Sequence, residues 1–481
     1  MKHLRDISIA LGLVVSFGSL LIGCKDGTKE ANEAPLTFTS VQAINLTGEN
    51  RLNSLFTLRW WGTDPDGVVK GYEFSFDEET WYFTEEQDST FLFSINAGSD
   101  TVDIDFWVRA IDLEDVVDPT PAYLSIPLKN TPPEINFQRD LIPTDTSFNL
   151  VTLLWEATDL DGFETIENIE LKLNEGDWVS ISPGRSLAAV VPTDPNATGS
   201  TGARLYYDDA SEGPEIIDLR LNDLNSIFVR AVDIAGSYSQ EDTINNLFIR
   251  GKSNDVLLIG ANSSKPDAFY QSNLSSNGYV VDFIDFVRDD AVNQPRVWYP
   301  TFQLLLEQYE TVVMYSNDVN FTNVQTNAED IVLEYASTSI QNYIDAGGKL
   351  FLSTSFPNAF STGSSLFGIL PIDSLSTAEG QARLPIDSLA VAEATGYPDL
   401  LCNTFISGLD PIYPSSDAEI IYSAQLTKNN GWDGPNTVGV RRKLNGNTNF
   451  VFFSVELHKI NGDPSAMSNL FDKVMNDEFN W

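Results

Sequence analysis

Few side chains in this sequence could act as a base or a nucleophile. His458 stands two residues after Glu456 in "SVELHK", and Ser353, Thr354 and Ser355 follow the apolar run "KLFL". A histidine activates a hydroxyl when a third group holds its ring, so Ser355 with His458 is the dyad the sequence offers. Nothing in the spacing brings them together, and a strand-end histidine satisfied by a nearby carboxylate is the plainer reading. Cys402 in "DLLCNTF" lacks a glycine elbow, and no G-x-S-x-G follows an apolar strand. Zinc wants about three protein ligands, more than His458 and Cys402 supply once the N-terminal residues to Cys24 are set aside. "GANSSKPD" lacks the Gly-x-Gly-x-x-Gly spacing of a phosphate loop. No catalytic residue is assigned.

Cation binding is the second chemistry to weigh. "WWGTDPDG" sets Asp64, Asp66 and Gly67 behind two tryptophans, and "WEATDLDG" sets Asp159, Asp161 and Gly162 behind one. A tight turn accounts for both, because Gly tolerates positive φ and Asp bonds its own backbone. Calcium is the alternative at these four aspartates; it needs about six to eight oxygens, and the full acidic-loop signature is not met. Trp61 points away from the face that holds Trp60, and its counterpart is Glu156, so it packs on a neighbouring domain, stacks on a sugar ring or stands as an idle exposed ring.

The elements that position these residues come from an internal repeat. Phe56, Leu58 and Trp60 recur 95 residues later as Val151, Leu153 and Trp155; Tyr72, Phe74, Phe76 and Trp81 recur at an offset of 97 as Ile169, Leu171, Leu173 and Trp178. "FWVRAID" recurs as "IFVRAVD" at an offset of 121, so the second copy carries 24 extra residues between Trp178 and Ile227. Period-two alternation with turn signals predicts β-strands in a sandwich. The inward tryptophan and the late V-R-A-x-D strand resemble fibronectin type III and related immunoglobulin-like modules. The modules are expected at residues 36–130 and 131–250. The extra residues, within 181–213, read as a floppy hairpin or as a binding insertion presenting Tyr206, Tyr207, Asp208 and Asp209.

After residue 253 the pattern changes to short apolar strands alternating with helices, which predicts a parallel sheet with helices on both faces. "VLLIG" and the helix-to-strand turn "YIDAGGKLFL" resemble the flavodoxin-like core of class I glutamine amidotransferase-like domains, here over residues 253–481. Active relatives carry a cysteine on a sharp elbow with a histidine and a glutamate; Cys402 departs from that pattern. A ligand of this domain is expected beyond the strand carboxyl ends, where Asn262, Ser263, Ser316, Asn317, Asp318, Ser353 and Ser355 would gather. Such a crevice suits a polyol or sugar, although small polar residues are ordinary at strand ends. "LPIDSL" occurs at residues 370–375 and again at 384–389.

The ends and totals bound the setting. Lys2, His3 and Arg5 precede an apolar run that stops at Leu21–Cys24, a secretory leader over residues 1–23. "LIGC" resembles the lipobox of bacterial lipoproteins, which implies acylation of Cys24 and membrane attachment through the N-terminal lipid, with residues 24–35 as a tether. Lys25 and Asp26 resemble a short charged sorting signal, which implies the outer membrane of a Gram-negative bacterium, at its surface or its periplasmic face. With the leader removed, 26 basic residues face 68 acidic ones, a balance of −42 that repels nucleic acid. With Cys24 acylated, only Cys402 remains and no intramolecular disulfide can form.

The expected architecture is therefore two all-β, fibronectin type III-like sandwiches followed by an α/β three-layer flavodoxin-like domain. The expected function is non-catalytic surface binding with a carbohydrate or cell-envelope protein as partner. A hydrolase acting on glycan or peptide and a structural spacer are the alternatives. No cofactor other than calcium enters.

Overall fold

A computed structural model describes residues 31–41, 55–93, 101–287, 294–357, 364–376, 378 and 380–480. The leader, Cys24 and the tether up to residue 30 lie outside them. Among the described residues no helix is long and apolar enough to cross a membrane. Two compact units form: one takes in the chain to Leu92 with Val102–Leu128, the other Phe93–Thr101 with Lys129–Trp481.

The first unit is a sandwich of β1 (Leu36–Val41), β2 (Leu55–Thr63), β3 (Val69–Ser75), β4 (Tyr82–Thr84), β5 (Asp88–Leu92), β6 (Thr101–Asp112) and β7 (Ala122–Lys129). Its sheets run β1–β2–β5 and β4–β3–β6–β7. Alternation along β2 buries Phe56, Leu58 and Trp60. The Trp60 ring meets Phe74 and Phe106 at 5.9 and 5.7 Å, and its indole N–H donates to the Glu86 carbonyl at 2.9 Å.

The second unit opens with the second sandwich: β8 (Glu134–Phe137), β9 (Thr146–Ser147), β10 (Val151–Thr158), β11 (Ile166–Leu173), β12 (Val179–Ile181), β13 (Leu187–Pro192), β14 (Gly199–Tyr206), β15 (Glu212–Leu221), β16 (Asp223–Asp233) and β17 (Asp242–Ile249). The sheets run β15–β14–β13–β10–β8 and β12–β11–β16–β17–β9. Trp155 repeats the role of Trp60, donating to the Arg185 carbonyl at 2.9 Å. The added residues are not a floppy hairpin. They become β14 and β15, which extend the first sheet because Ala203, Leu205, Ile216, Leu219 and Leu221 alternate into the core.

Both sandwiches tie down their entry in one way. Asp112 and Asp233 are fully buried at the ends of β6 and β16. Asp112 accepts from the Asn32 amide at 2.5 Å and from the Glu114 and Val116 N–H groups at 2.8 Å. Asp233 accepts from the Asn130 amide at 2.6 Å and the Ser237 N–H at 2.7 Å. The second aspartate of each acidic turn takes the next backbone N–H: Glu33 donates to Asp66 at 3.2 Å and Thr131 to Asp161 at 2.7 Å. The acidic turns are thus clasps on the incoming chain. Their glycines serve differently, for Gly162 sits at φ +110°, whereas a Cβ on Gly67 would lie 2.5 Å from an Asp64 oxygen.

A nine-stranded mixed sheet completes this unit. Parallel strands β18 (Val256–Ala261), β19 (Val281–Asp285) and β20 (Thr311–Ser316) come first, then a hairpin of β21 (Asn320–Thr322) and β22 (Glu329–Ile331), then β23 (Lys349–Ser353). Two ribbons follow, β24 (Ile372–Leu375) with β28 (Ile412–Pro414) and β25 (Ala382–Arg383) with β30 (Thr427–Lys428). The remaining strands are β26 (Leu389–Ala392), β27 (Leu400–Leu401), β29 (Ala418–Ala424), β31 (Thr437–Leu444) and β32 (Asn447–Phe453). The sheet order is β19–β18–β20–β23–β32–β31–β29–β26–β27.

Among the described residues α-helices are few: α1 (Asp267–Ser276), α2 (Thr301–Leu306), α3 (Val332–Asp345) and α4 (Pro464–Asp472). The chain is predominantly β, and this differs from the expected three-layer α/β domain. The reason lies between β23 and β32. That stretch carries turn residues and short alternating runs instead of a helical period, so it folds into antiparallel strands that prolong the sheet. The two "LPIDSL" copies share no structural role: the first contains β24, and the second bridges Leu384 to Ile406 before β26 begins.

The sandwich and the mixed sheet of this unit share a core, in which Leu150 and Ala189 join Phe302, Leu305 and Leu333. Thr152 and Thr301 hydroxyls meet at 2.7 Å, and Asn149 donates to Gln308 at 2.7 Å. Replacing Asn130 with alanine leaves the buried Asp233 carboxylate short of a donor. The expected loss is about 1–3 kcal/mol, read from urea unfolding of the second unit's transition in the whole chain.

Candidate functional site

The carboxyl ends of β18, β20, β23 and β32 bring Asn262, Ser316, Ser353, Ser355 and Glu456 together. Glu456 is the centre. It is 6% exposed, and its oxygens accept from the Asn262 amide at 2.8 Å, the Ser355 hydroxyl at 3.1 Å and the Lys459 ammonium at 2.5 Å. A buried carboxylate requires such partners. Ser353 is equally engaged: it accepts from the Tyr270 hydroxyl at 3.0 Å and the Leu457 N–H at 3.2 Å, and donates to the Val455 carbonyl at 3.0 Å. Ser316 donates to Thr354 at 2.7 Å, and Asn317 donates to Ser263 at 2.8 Å. Asp318 is exposed.

His458 lies in a 3-10 turn, Leu457–Ile460, just past β32, not on the last strand itself. Ser355 donates to Glu456 and not to this ring. The hydroxyl facing His458 is Ser264, 3.4 Å from Nε2, while a Glu456 oxygen lies 3.7 Å from the same nitrogen. A catalytic triad needs the carboxylate on the opposite ring nitrogen, and here Nδ1 is buried without a hydrogen-bond partner among the described residues. The Ser264 proton is itself directed to Asn262 Oδ1 at 2.7 Å. Burial holds the His458 pKa below its ordinary value; Glu456 opposes the shift and Lys459 adds to it. Cys402 is fully buried and bonded to the Thr404 carbonyl at 3.0 Å, and burial pushes its thiol pKa up, as in an unreactive cysteine.

The other sequence-named residues lie elsewhere. Trp61 is 45% exposed and stacks on Phe38 at 5.8 Å across the β1–β2 pair. Tyr207 lies under the Arg185 guanidinium at 4.5 Å, and Arg185 pairs with Asp208 at 2.6 Å and Asp209 at 3.4 Å. Tyr206 packs on the core shared with the mixed sheet. Asp64 and Asp159 accept from Asp66 and Asp161 N–H groups at 3.3 and 2.8 Å. Among the described residues no group of three or more His, Cys, Asp or Glu side chains is arranged to hold a metal.

Sequence reasoning missed the arginine of the V-R-A-x-D strand. On each sandwich's outer face it lies over a tryptophan and pairs with a glutamate: Arg109 with Trp81 at 3.9 Å and Glu73 at 2.7 Å, Arg230 with Trp178 at 4.1 Å and Glu170 at 2.7 Å. The signal was present, since all three residues recur in both copies.

The strand orders make both modules immunoglobulin-like sandwiches, in keeping with the fibronectin type III-like reading. No family model matches the chain, and no curated protein matches it in sequence. Among solved structures, the chain is similar to the fibronectin(III)-like modules of Clostridium thermocellum CbhA, with 11% identity over 44% of this chain and 94% of that one, at a TM-score of 0.17. It is similar to a protein described as a GMP synthase component from Thermoplasma acidophilum, with 9% identity over 47% and 94% of the two chains, at a TM-score of 0.28. The PKD1 domain of the Vibrio cholerae metalloprotease PrtV matches 20% of this chain and 99% of its own, with 12% identity and a TM-score of 0.15. These likenesses carry no statement about ligand or activity.

The depressed His458 pKa gives a pH signature. Its contribution to stability is complete above the unfolded value of about 6.5 and is lost as pH falls below it. The thermal unfolding temperature of the chain is expected to fall from pH 7 to 5, and His458→Gln to flatten that part of the profile.

Proposed function

We propose that this chain is a lipid-anchored cell-envelope binding protein that recognises a carbohydrate or another envelope component without converting it. Two sandwiches carry the recognition surface, and the mixed sheet is an amidotransferase-like domain lacking the nucleophile. The spatial order β19–β18–β20–β23–β32 supports the flavodoxin-like part of that reading, being the 2-1-3-4-5 order of such sheets.

The observation that carries the non-catalytic reading is the Glu456 network. Ser353 and Ser316 donate to a carbonyl and a hydroxyl, neither of which is a base, and the Glu456 carboxylate that Ser355 faces is already shared with the Asn262 amide and the Lys459 ammonium, as suits a structural acceptor. The half-exposed Phe38–Trp61 stack supports the carbohydrate reading, because a sugar ring packs its C–H face on such a surface. The Ser264–His458 contact favours a second reading, a hydrolase.

The lipid anchor and the Gram-negative outer-membrane location rest on Leu21–Cys24 and on Lys25 and Asp26. Growth with labelled palmitate is expected to mark the chain, and Cys24→Ala to abolish the mark.

A glycan panel titrated against the chain is expected to yield a ligand whose affinity falls about tenfold or more in Trp61→Ala. In parallel, ester and amide substrates are expected to show no turnover. Turnover that disappears in both Ser264→Ala and His458→Gln would replace the binding reading with the hydrolase.

A further inference from the structure

A small cavity lies inside the second unit, between the sandwich and the mixed sheet. Its walls are apolar, formed by Leu141, Phe148, Ile284, Val297 and Leu305, and its lining also includes Arg250 and Arg296. We propose that this cavity binds a small organic carboxylate with a short apolar tail, held by the Arg250 and Arg296 guanidinium groups. The inference stands apart from the Glu456 network and from the Phe38–Trp61 surface.

Charge pairing makes the case. The chain carries 69 acidic residues against 28 basic ones, so a guanidinium has abundant carboxylates within reach. Among the described residues the other arginines are engaged. Arg59, Arg109, Arg139, Arg185, Arg204, Arg220, Arg230 and Arg441 pair with carboxylates. Arg383 donates to the Gly380 carbonyl at 3.3 Å, and Arg442 lies over the Phe450 ring at 5.5 Å. Arg250 and Arg296 have neither an ion pair nor a ring contact among the described residues, and both line this cavity.

Arg250 is exposed and Arg296 half-buried, so each guanidinium keeps water on one side; the apolar wall excludes it on the other, which raises the gain from an anion brought there. The planar fork of a guanidinium matches a carboxylate with two parallel hydrogen bonds. Most other polar side chains of the lining are already paired: Ser147 donates to the Leu150 carbonyl, the Thr152 and Thr301 hydroxyls bond each other, and Gln294 donates to the Phe286 carbonyl at 3.1 Å, which leaves the Thr146 hydroxyl. Specificity then rests on the two charges and the apolar walls. The volume, about 60 Å³, has room for roughly five water-sized groups. That suits an apolar tail of about four or five carbons, with the carboxylate outside this volume against the two guanidinium groups. A free short-chain acid and the C-terminal carboxylate of a peptide ending in an apolar residue present the same chemistry.

Pentanoate and N-acetyl-valine serve as probes of the two sources, with pentanamide as the neutral control, in ligand-observed NMR titrations of the whole chain. Saturable binding of at least one carboxylate is expected, weakened fivefold or more in Arg250→Gln and in Arg296→Gln. The tighter of the two probes identifies the source. Circular dichroism and thermal unfolding establish that each variant folds. Leu305→Phe, which fills the cavity and leaves both charges in place, is expected to block binding as well. Equal binding of pentanamide, binding unchanged in both arginine variants, or no saturable binding of either carboxylate would overturn the proposal.

Discussion

Each sandwich is built around a carboxylate that its own fold buries. Asp112 and Asp233 are fully removed from solvent, and a buried carboxylate without donors is costly by several kcal/mol. In both modules the remedy is the same set of neutral donors: the amide of an asparagine in the entering chain, and backbone N–H groups of the following turn. The first strand of each sandwich is held in place by that demand. The acidic turn next to it adds a further acceptor for the same entering segment.

This use of neutral donors matters in a chain so short of cations. The arginines of the V-R-A strands are left for the outer faces, where each covers a tryptophan and meets a glutamate. Arg185 similarly holds Tyr207, Asp208 and Asp209, which on sequence looked available to a ligand. Glu456 follows another course, combining two neutral donors with Lys459. That combination stabilises the charge and engages the Ser355 hydroxyl.

The second unit shows how added chain is absorbed when its apolar residues alternate. Strands β14 and β15 extend one sheet of the sandwich, and the stretch between β23 and β32 extends the mixed sheet. Both additions continue an open edge, where unpaired backbone groups accept a new strand readily. The sandwich and mixed sheet then share one core through Leu150 and Ala189. The cavity with Arg250 and Arg296 arises at that junction, from residues far apart in the chain.

Much of this was legible in the sequence, because it follows from local periodicity. The alternation around Trp60 and Trp155, the recurrence of the V-R-A strand and the turn at Gly347 each depend on a few adjacent residues, and the sandwiches follow from them. The clasp was half legible: the Asp-x-Asp-Gly turns stood out, whereas Asn32 and Asn130 did not, since their partners lie 80 and 103 residues away. The candidate site divided in the same way. Strand ends located Asn262, Ser353 and Ser355, but only the tertiary structure decided that Ser355 faces Glu456 and that Ser264 faces His458. Side-chain pairing depends on which strands become neighbours and how their ends turn. Periodicity fixes which residues point inward; it carries no record of what they meet there.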